Sequence, residues 1–147
     1  MFKKLLIPID GTELSHHAIQ QGLDLARQLG ASIQGFVVEA MPALPTMGTH
    51  LPSYRNEVKV HEATTEAHAK GLLTQFEQAA AKAGVPFEGH YERNDDVAAA
   101  IAGVAERQGC DMIVMATHGR GAFGELLFGS QTKRVLSLSK IPLLVLH

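Results

Sequence analysis

Ile113-Val114-Met115-Ala116-Thr117-His118-Gly119-Arg120-Gly121-Ala122-Phe123-Gly124-Glu125-Leu126-Leu127-Phe128-Gly129-Ser130-Gln131-Thr132 runs from a short apolar stretch, through a glycine-rich loop, into a hydroxyl residue able to open a helix. A strand that empties into glycines and then a helix is what an anion site needs. Glycines let main-chain N–H groups approach a phosphate, and a helix N-terminus offers unpaired donors with a partial positive charge. The alternative is a loop that uses glycine only for its turns. Four glycines and Arg120 in so short a span favour the phosphate.

Outward from this stretch, the hydrophobic pattern switches regularly between two periods. Leu5-Leu6-Ile7, Ile33 to Val38, Ile113-Val114-Met115 and Leu143 to Leu146 are short, predominantly apolar runs, as in strands buried on both faces. Phe87 to Glu92 alternates apolar and polar residues, which predicts a half-exposed strand at a sheet edge. Between these runs lie helical patterns. Leu14, Ala18, Gly22, Leu25 and Leu29 recur at three- and four-residue spacing and stop at Gly30. A long helix is expected from about Arg55 to Ala83, ended by Gly84 and Pro86. A third opens with Asn94 or Asp95 as N-cap and carries Val97, Ile101, Val104 and Ala105 on one face. The last begins near Gly129-Ser130 and stops before Pro142. Strands alternating with helices predict an α/β domain, with right-handed crossovers and a parallel sheet covered on both sides. The stretch Glu39 to Tyr54, with Pro42, Pro45 and Pro52, reads as a surface loop, a lid or a disordered segment.

The 147 residues fit one domain, 1–147, with a single core. A net charge of −2 and the lack of any Lys/Arg cluster argue against nucleic acid or an anionic membrane as the partner. The single cysteine, Cys110, excludes an internal disulfide and a paired-Cys zinc site. The basic-then-apolar start, Met1 to Ile7, stops at Pro8 and Asp10, short of an export core or membrane span, so the expected location is the cytoplasm.

Gly119-Arg120-Gly121-Ala122-Phe123-Gly124 formally matches a dinucleotide fingerprint, but it follows the fourth strand and no Asp or Glu comes after Glu125 to hold a ribose. Gly124 to Gly129 has P-loop spacing, with Ser130 in place of the required lysine. Both motifs fail. Among the histidines, His16 and His17 point apart on one helix, and His61 and His68 are two turns apart, too far to share a metal. His118 either bonds a phosphate or braces the loop.

Gly119, the nine residues between it and Gly129, and then Ser130 form one spaced motif. Leu6-Ile7-Pro8-Ile9-Asp10-Gly11, Phe36-Val37-Val38-Glu39 and the closing apolar strand accompany it. Together these resemble the universal stress protein family across essentially the whole chain. The family's nucleotide-binding members carry Gly, two residues, Gly, nine residues, Gly, then Ser or Thr; here Ala116 stands where the first glycine belongs. The resemblance implies an open five-stranded parallel sheet of order 3-2-1-4-5 with helices on both faces, in the Rossmann-like manner of adenine nucleotide alpha-hydrolases. Strands one and four then meet at the topological switch point, where such sheets bind ligands.

The resemblance further implies ATP with Mg²⁺ as ligand. Asp10 would accept hydrogen bonds from the nucleoside beside Pro8, and Val37 would meet adenine through its main chain. Met115 and Ala116 would form the floor. Gly119 and Arg120 would contact the triphosphate, and Gly129, Ser130 and Gln131 would hold it at the helix start. Asp10 has a competing role as cap of the first helix, where Thr12 is an alternative cap. No general base or activated nucleophile stands out, so turnover would be slow at most, with Glu125 the carboxylate nearest the loop in sequence. A nucleotide-free homodimeric scaffold is the alternative, since some family members lack the loop motif. In the implied order the sheet edges are strands three and five. Glu88, His90 and Glu92 discourage pairing at the first, whereas Leu143 to Leu146 carries no charge and invites a two-fold partner.

Overall fold

A computed structural model describes residues 1–117 and 129–147. Within them strands and helices alternate: β1 (Lys4–Pro8), α1 (Glu13–Leu29), β2 (Ser32–Glu39), α2 (Leu51–Ala83), β3 (Phe87–Arg93), α3 (Val97–Arg107), β4 (Met112–Ala116), α4 (Ser130–Leu138) and β5 (Leu143–Leu146). All neighbouring strands pair in parallel, in the order β3-β2-β1-β4-β5. The chain builds outward from β1 to β3, then returns to the other side of β1, so β1 and β4 flank the switch point.

The apolar runs follow from covering both faces, because successive side chains of a strand point to opposite sides. Leu5 and Ile7 of β1 join Ile33, Val37 and Val114 under α1 and α2, where Ala18, Ala26, Ala69, Phe76 and Ala80 meet them. Leu6, between them, points the other way to Phe36 and Ile113, under Ile101 and Val104 of α3 and Val135 of α4. Each such side chain, fully buried, contributes about 1.5–3 kcal/mol. α1 presents Ala18, Gly22 and Ala26 to the sheet, and a Cβ on Gly22 would collide with the Ile7 side chain. The helix therefore lies close over β1, which sets the turn between them.

Three expected boundaries shift. α2 starts at Leu51 instead of Arg55, leaving 40–50 as the connecting loop in place of 39–54. Pro52 is the reason: it reads as a breaker along the sequence, yet in a first helical turn its missing N–H has no intrahelical partner to lose. The N-cap of α3 is Asp96, whose side chain accepts from the Ala99 N–H at 3.1 Å. Asn94 instead accepts from the Asp96 N–H at 2.9 Å, and Asp95 accepts from the Met41 N–H at 3.0 Å, so three neighbouring polar side chains divide the turn's donors. β3 is the half-exposed edge strand its alternation predicts and runs on to Arg93. Gly30, at φ 63°, and Gly84, at φ 69°, end α1 and α2 in the left-handed conformation that glycine adopts without strain. Among the described residues no helix is long and apolar enough to cross a membrane.

Candidate functional site

Where β1 and β4 end, the sheet opens into a cleft of about 710 Å³, a volume in the range of small-molecule sites. Its first rim is the β1–α1 turn. Pro8 and Asp10 line it as expected, with Ile9 and Thr12 beside them. Thr12, not Asp10, is the N-cap of α1, its Oγ1 accepting from the Ser15 N–H at 3.3 Å. Asp10 braces that cap: its Oδ1 accepts from the Thr12 N–H at 3.0 Å and the Thr12 hydroxyl at 2.6 Å. The Ser15 hydroxyl in turn accepts from the N–H groups of Asp10 and Gly11, at 3.3 and 3.2 Å. The carboxylate stays exposed at the mouth.

The floor is β4. Met115 and Ala116 line the cleft. Ala116 is the last strand residue, and among the described residues only glycines have positive φ, so its backbone is one that any residue adopts. Thr117 continues the ladder, its N–H donating to the Leu146 carbonyl at 2.8 Å.

Opposite Asp10 stands the start of α4, where Gly129, Ser130 and Gln131 line the cleft together with Thr132. Gly129 is the N-cap and supplies no side-chain cap. The first N–H groups of a helix lack intrahelical partners, so this end is a set of donors with positive dipole character. Gly129 has φ −55°, accessible to every residue. A Cβ there would meet only Thr132 Oγ1, at 3.9 Å among the described atoms. Among the described residues neither backbone strain nor crowding demands glycine at this position.

The side wall was not legible as a site. Val38, Val97 and Ile101 line it, although Val97 and Ile101 read in sequence as the core face of a helix. Their stripe does face inward, but its first turns overhang the sheet's open end. Val37 is 1% exposed and packs into the α1–α2 side of the core, so its neighbour Val38, not Val37, contributes a side chain to the cleft. Gly119 and Arg120, with His118 and Glu125, lie outside the described residues. Beyond Val38 the connecting loop is strapped down. The Ala40 carbonyl meets His61 Nε2 at 2.8 Å and the Ala43 carbonyl accepts from the Tyr54 hydroxyl at 3.0 Å, while Leu44 and Met47 remain exposed.

Asp10 is the charged side chain lining the cleft among the described residues, and these hold no cluster of three His, Cys, Asp or Glu side chains that could grip a metal. Cys110 is no nucleophile here: burial pushes its thiol up to about 11. Behind the cleft, the Arg134 guanidinium, helped by the Ala99 N–H, holds the Asp96 carboxyl below the usual carboxylate range. A second opening of about 580 Å³ lies along the β3 edge. Lys70, Glu77 and Glu88 line it; Lys70 and Glu88 are engaged in the ion pairs Lys70–Glu66 and Lys4–Glu88, and it lies far from the switch point.

The universal stress protein family model matches residues 1–147. The chain belongs to the universal stress protein family. The Bacillus subtilis universal stress protein YxiE is 29% identical over the full length of both chains. A universal stress protein of Thermus aquaticus is 31% identical, again covering 100% of each chain. Solved structures share the fold. A universal stress protein family member from Burkholderia pseudomallei superposes with a TM-score of 0.72 at 22% identity, over 99% of this chain and 96% of its own. A universal stress protein in complex with cAMP gives 0.71 at 17% identity, over 99% and 97%. The Archaeoglobus fulgidus protein in complex with dAMP gives 0.65 at 17%, over 100% and 98%.

Proposed function

We propose that this universal stress protein binds an adenine nucleotide in the β1–β4 cleft, with ATP·Mg²⁺ as its ligand, and acts as a nucleotide-responsive module in the cytoplasm. The observation that carries the reading is Gly129: a glycine that neither its φ nor any described neighbour requires, at the N-terminus of α4, lining one cleft with an exposed carboxylate and an apolar wall. Such a cleft suits a ligand with a flat apolar base, a hydroxyl-bearing middle and an anionic end. The cAMP and dAMP complexes of structural neighbours support the same class of ligand.

In this reading Pro8 and Asp10 hold the nucleoside, with Asp10 accepting from ribose hydroxyls. Val37 meets adenine through its main chain, and Met115 and Ala116 form the floor. Gly119 and Arg120 contact the triphosphate, and Gly129, Ser130 and Gln131 cap it with N–H donors. Magnesium keeps several waters and takes few protein ligands, so phosphate oxygens and water would supply most of its donor set. The ion would shield charge between the phosphates. In this reading hydrolysis is slow at most. The test is direct: denature the purified protein, measure released adenine nucleotide, then titrate ATP·Mg²⁺ and AMP calorimetrically. No released nucleotide and no heat at millimolar ligand would sink the reading.

Ala116 and the β5 edge favour a second reading, a nucleotide-free homodimeric scaffold. β5 ends the sheet with Leu143 to Leu146, and on neighbouring α4 Leu136 and Leu138 are 66% and 48% exposed. In either reading the partner is a second copy joined through β5. Val145→Lys should give monomers in light scattering; a wild-type chain monomeric at high micromolar concentration would exclude the dimer.

A further inference from the structure

Asp96 and Arg134 sit behind the cleft, outside its lining, and join two of its walls. Asp96 immediately precedes Val97, the first cleft residue of α3, and caps that helix through Ala99. Arg134 lies one helical turn beyond Ser130, the first residue of α4. Its Nη1 donates to Asp96 Oδ1 at 2.6 Å and its Nη2 to Oδ2 at 2.9 Å. Such a fork fixes the angle between the two groups as well as their distance.

α4 needs a fixed point of this kind. It has nine residues, of which Thr132 and Val135 are buried. Two buried side chains on a short helix leave its roll and its slide along α3 weakly determined. The fork supplies the third point. At 50% and 43% side-chain exposure the pair adds little to global stability, so the fold survives its loss while the placement of α4 changes.

We propose that Asp96 and Arg134 are positioning residues, a clasp that sets the span between the apolar wall at Val97 and Ile101 and the N–H donors at the start of α4, and thereby selects ligands carrying a phosphate at a fixed distance from their base. This rests on the nucleotide reading of the cleft. A ligand that touches only the apolar wall and Asp10 is indifferent to the clasp. One that must also reach α4 is not.

The experiment compares AMP with adenosine in calorimetric titrations of the wild type, Asp96→Asn, Arg134→Gln, the double variant and Arg134→Lys. Asparagine keeps Oδ1, which accepts from both the Ala99 N–H and Arg134 Nη1, and loses the charge and the Oδ2 acceptor of Nη2, so Asp96→Asn breaks the fork while keeping the cap. Either single variant should weaken AMP about three- to tenfold and leave adenosine unchanged. The double variant should be no worse than the singles, the mark of a coupled pair. Arg134→Lys, with the charge but no fork, should fall between. An unchanged AMP-to-adenosine ratio with a lowered melting temperature would reduce the pair to a surface ion pair and overturn the proposal. If Arg134→Gln does not fold, Asp96→Asn alone decides. A wild type silent to both AMP and ATP·Mg²⁺ removes the nucleotide reading and the clasp with it, whereas a wild type that binds with indifferent variants removes only the clasp.

Discussion

The two rims of the cleft are built on opposite principles. At the β1–α1 turn the polar groups satisfy one another: Asp10 accepts from Thr12, Thr12 accepts from Ser15, and Ser15 accepts from the N–H groups of Asp10 and Gly11. At the start of α4 the helix opens on Gly129 with no side-chain cap. One rim spends its hydrogen bonds internally and holds its shape without a ligand. The other offers main-chain donors with no side-chain cap among the described residues. A cleft made this way has a preformed wall for the nucleoside and an electrostatic appetite at the anion end, so damage to the second rim should cost binding without costing fold, and damage to the first should cost some of both.

Gly129→Val should have the largest effect, abolishing ATP binding in calorimetry. The branched side chain occupies the space that glycine leaves, while φ −55° and the 3.9 Å clearance to Thr132 Oγ1 predict little change in melting temperature. A valine variant that binds normally would break the contrast between the rims. Asp10→Ala should come next, with nucleotide binding lost or weakened at least about tenfold and a stability cost of roughly 0.5–1.5 kcal/mol from the weakened brace on Thr12. Lost stability with unchanged affinity would leave Asp10 a brace only. Ala116→Gly should act least, tightening ATP up to about fivefold, since a contact of about 1 kcal/mol changes affinity by that factor. The alanine already sits in strand conformation, so glycine gains room rather than a new backbone. If the wild type is silent and Ala116→Gly binds, the natural chain is the nucleotide-free scaffold.

Much of the fold was written locally. The two-sided apolar runs, the stops at Gly30 and Gly84 and the helix start at Gly129-Ser130 depend on periodicity and cap chemistry within a few residues, and sequence carries such information directly. The start of α2 was misread for a local reason as well: Pro52 signals a break and a first turn equally. Strand order is different in kind. Periodicity predicts a parallel sheet without saying that β4 lies beside β1, and the order came from resemblance to a family.

The site divides along the same line. Pro8, Asp10, Met115, Ala116, Gly129, Ser130 and Gln131 were named from the family resemblance, and the fold brings those seven to one cleft. Val97 and Ile101 were invisible as site residues because a stripe facing a cleft and a stripe facing a core have the same period. The division of labour between Asp10 and Thr12 was open because both are good caps, and only the folded turn has Thr12 accepting from Ser15 while Asp10 accepts from Thr12. The pairing of Asp96 with Arg134, 38 positions apart, exists only once α3 and α4 pack side by side. Sequence by itself determined which segments could be strands, helices and anion-binding turns, because those are short-range properties. Tertiary structure alone decided which of them face one another, because the contacts that fix it join residues far apart in the chain.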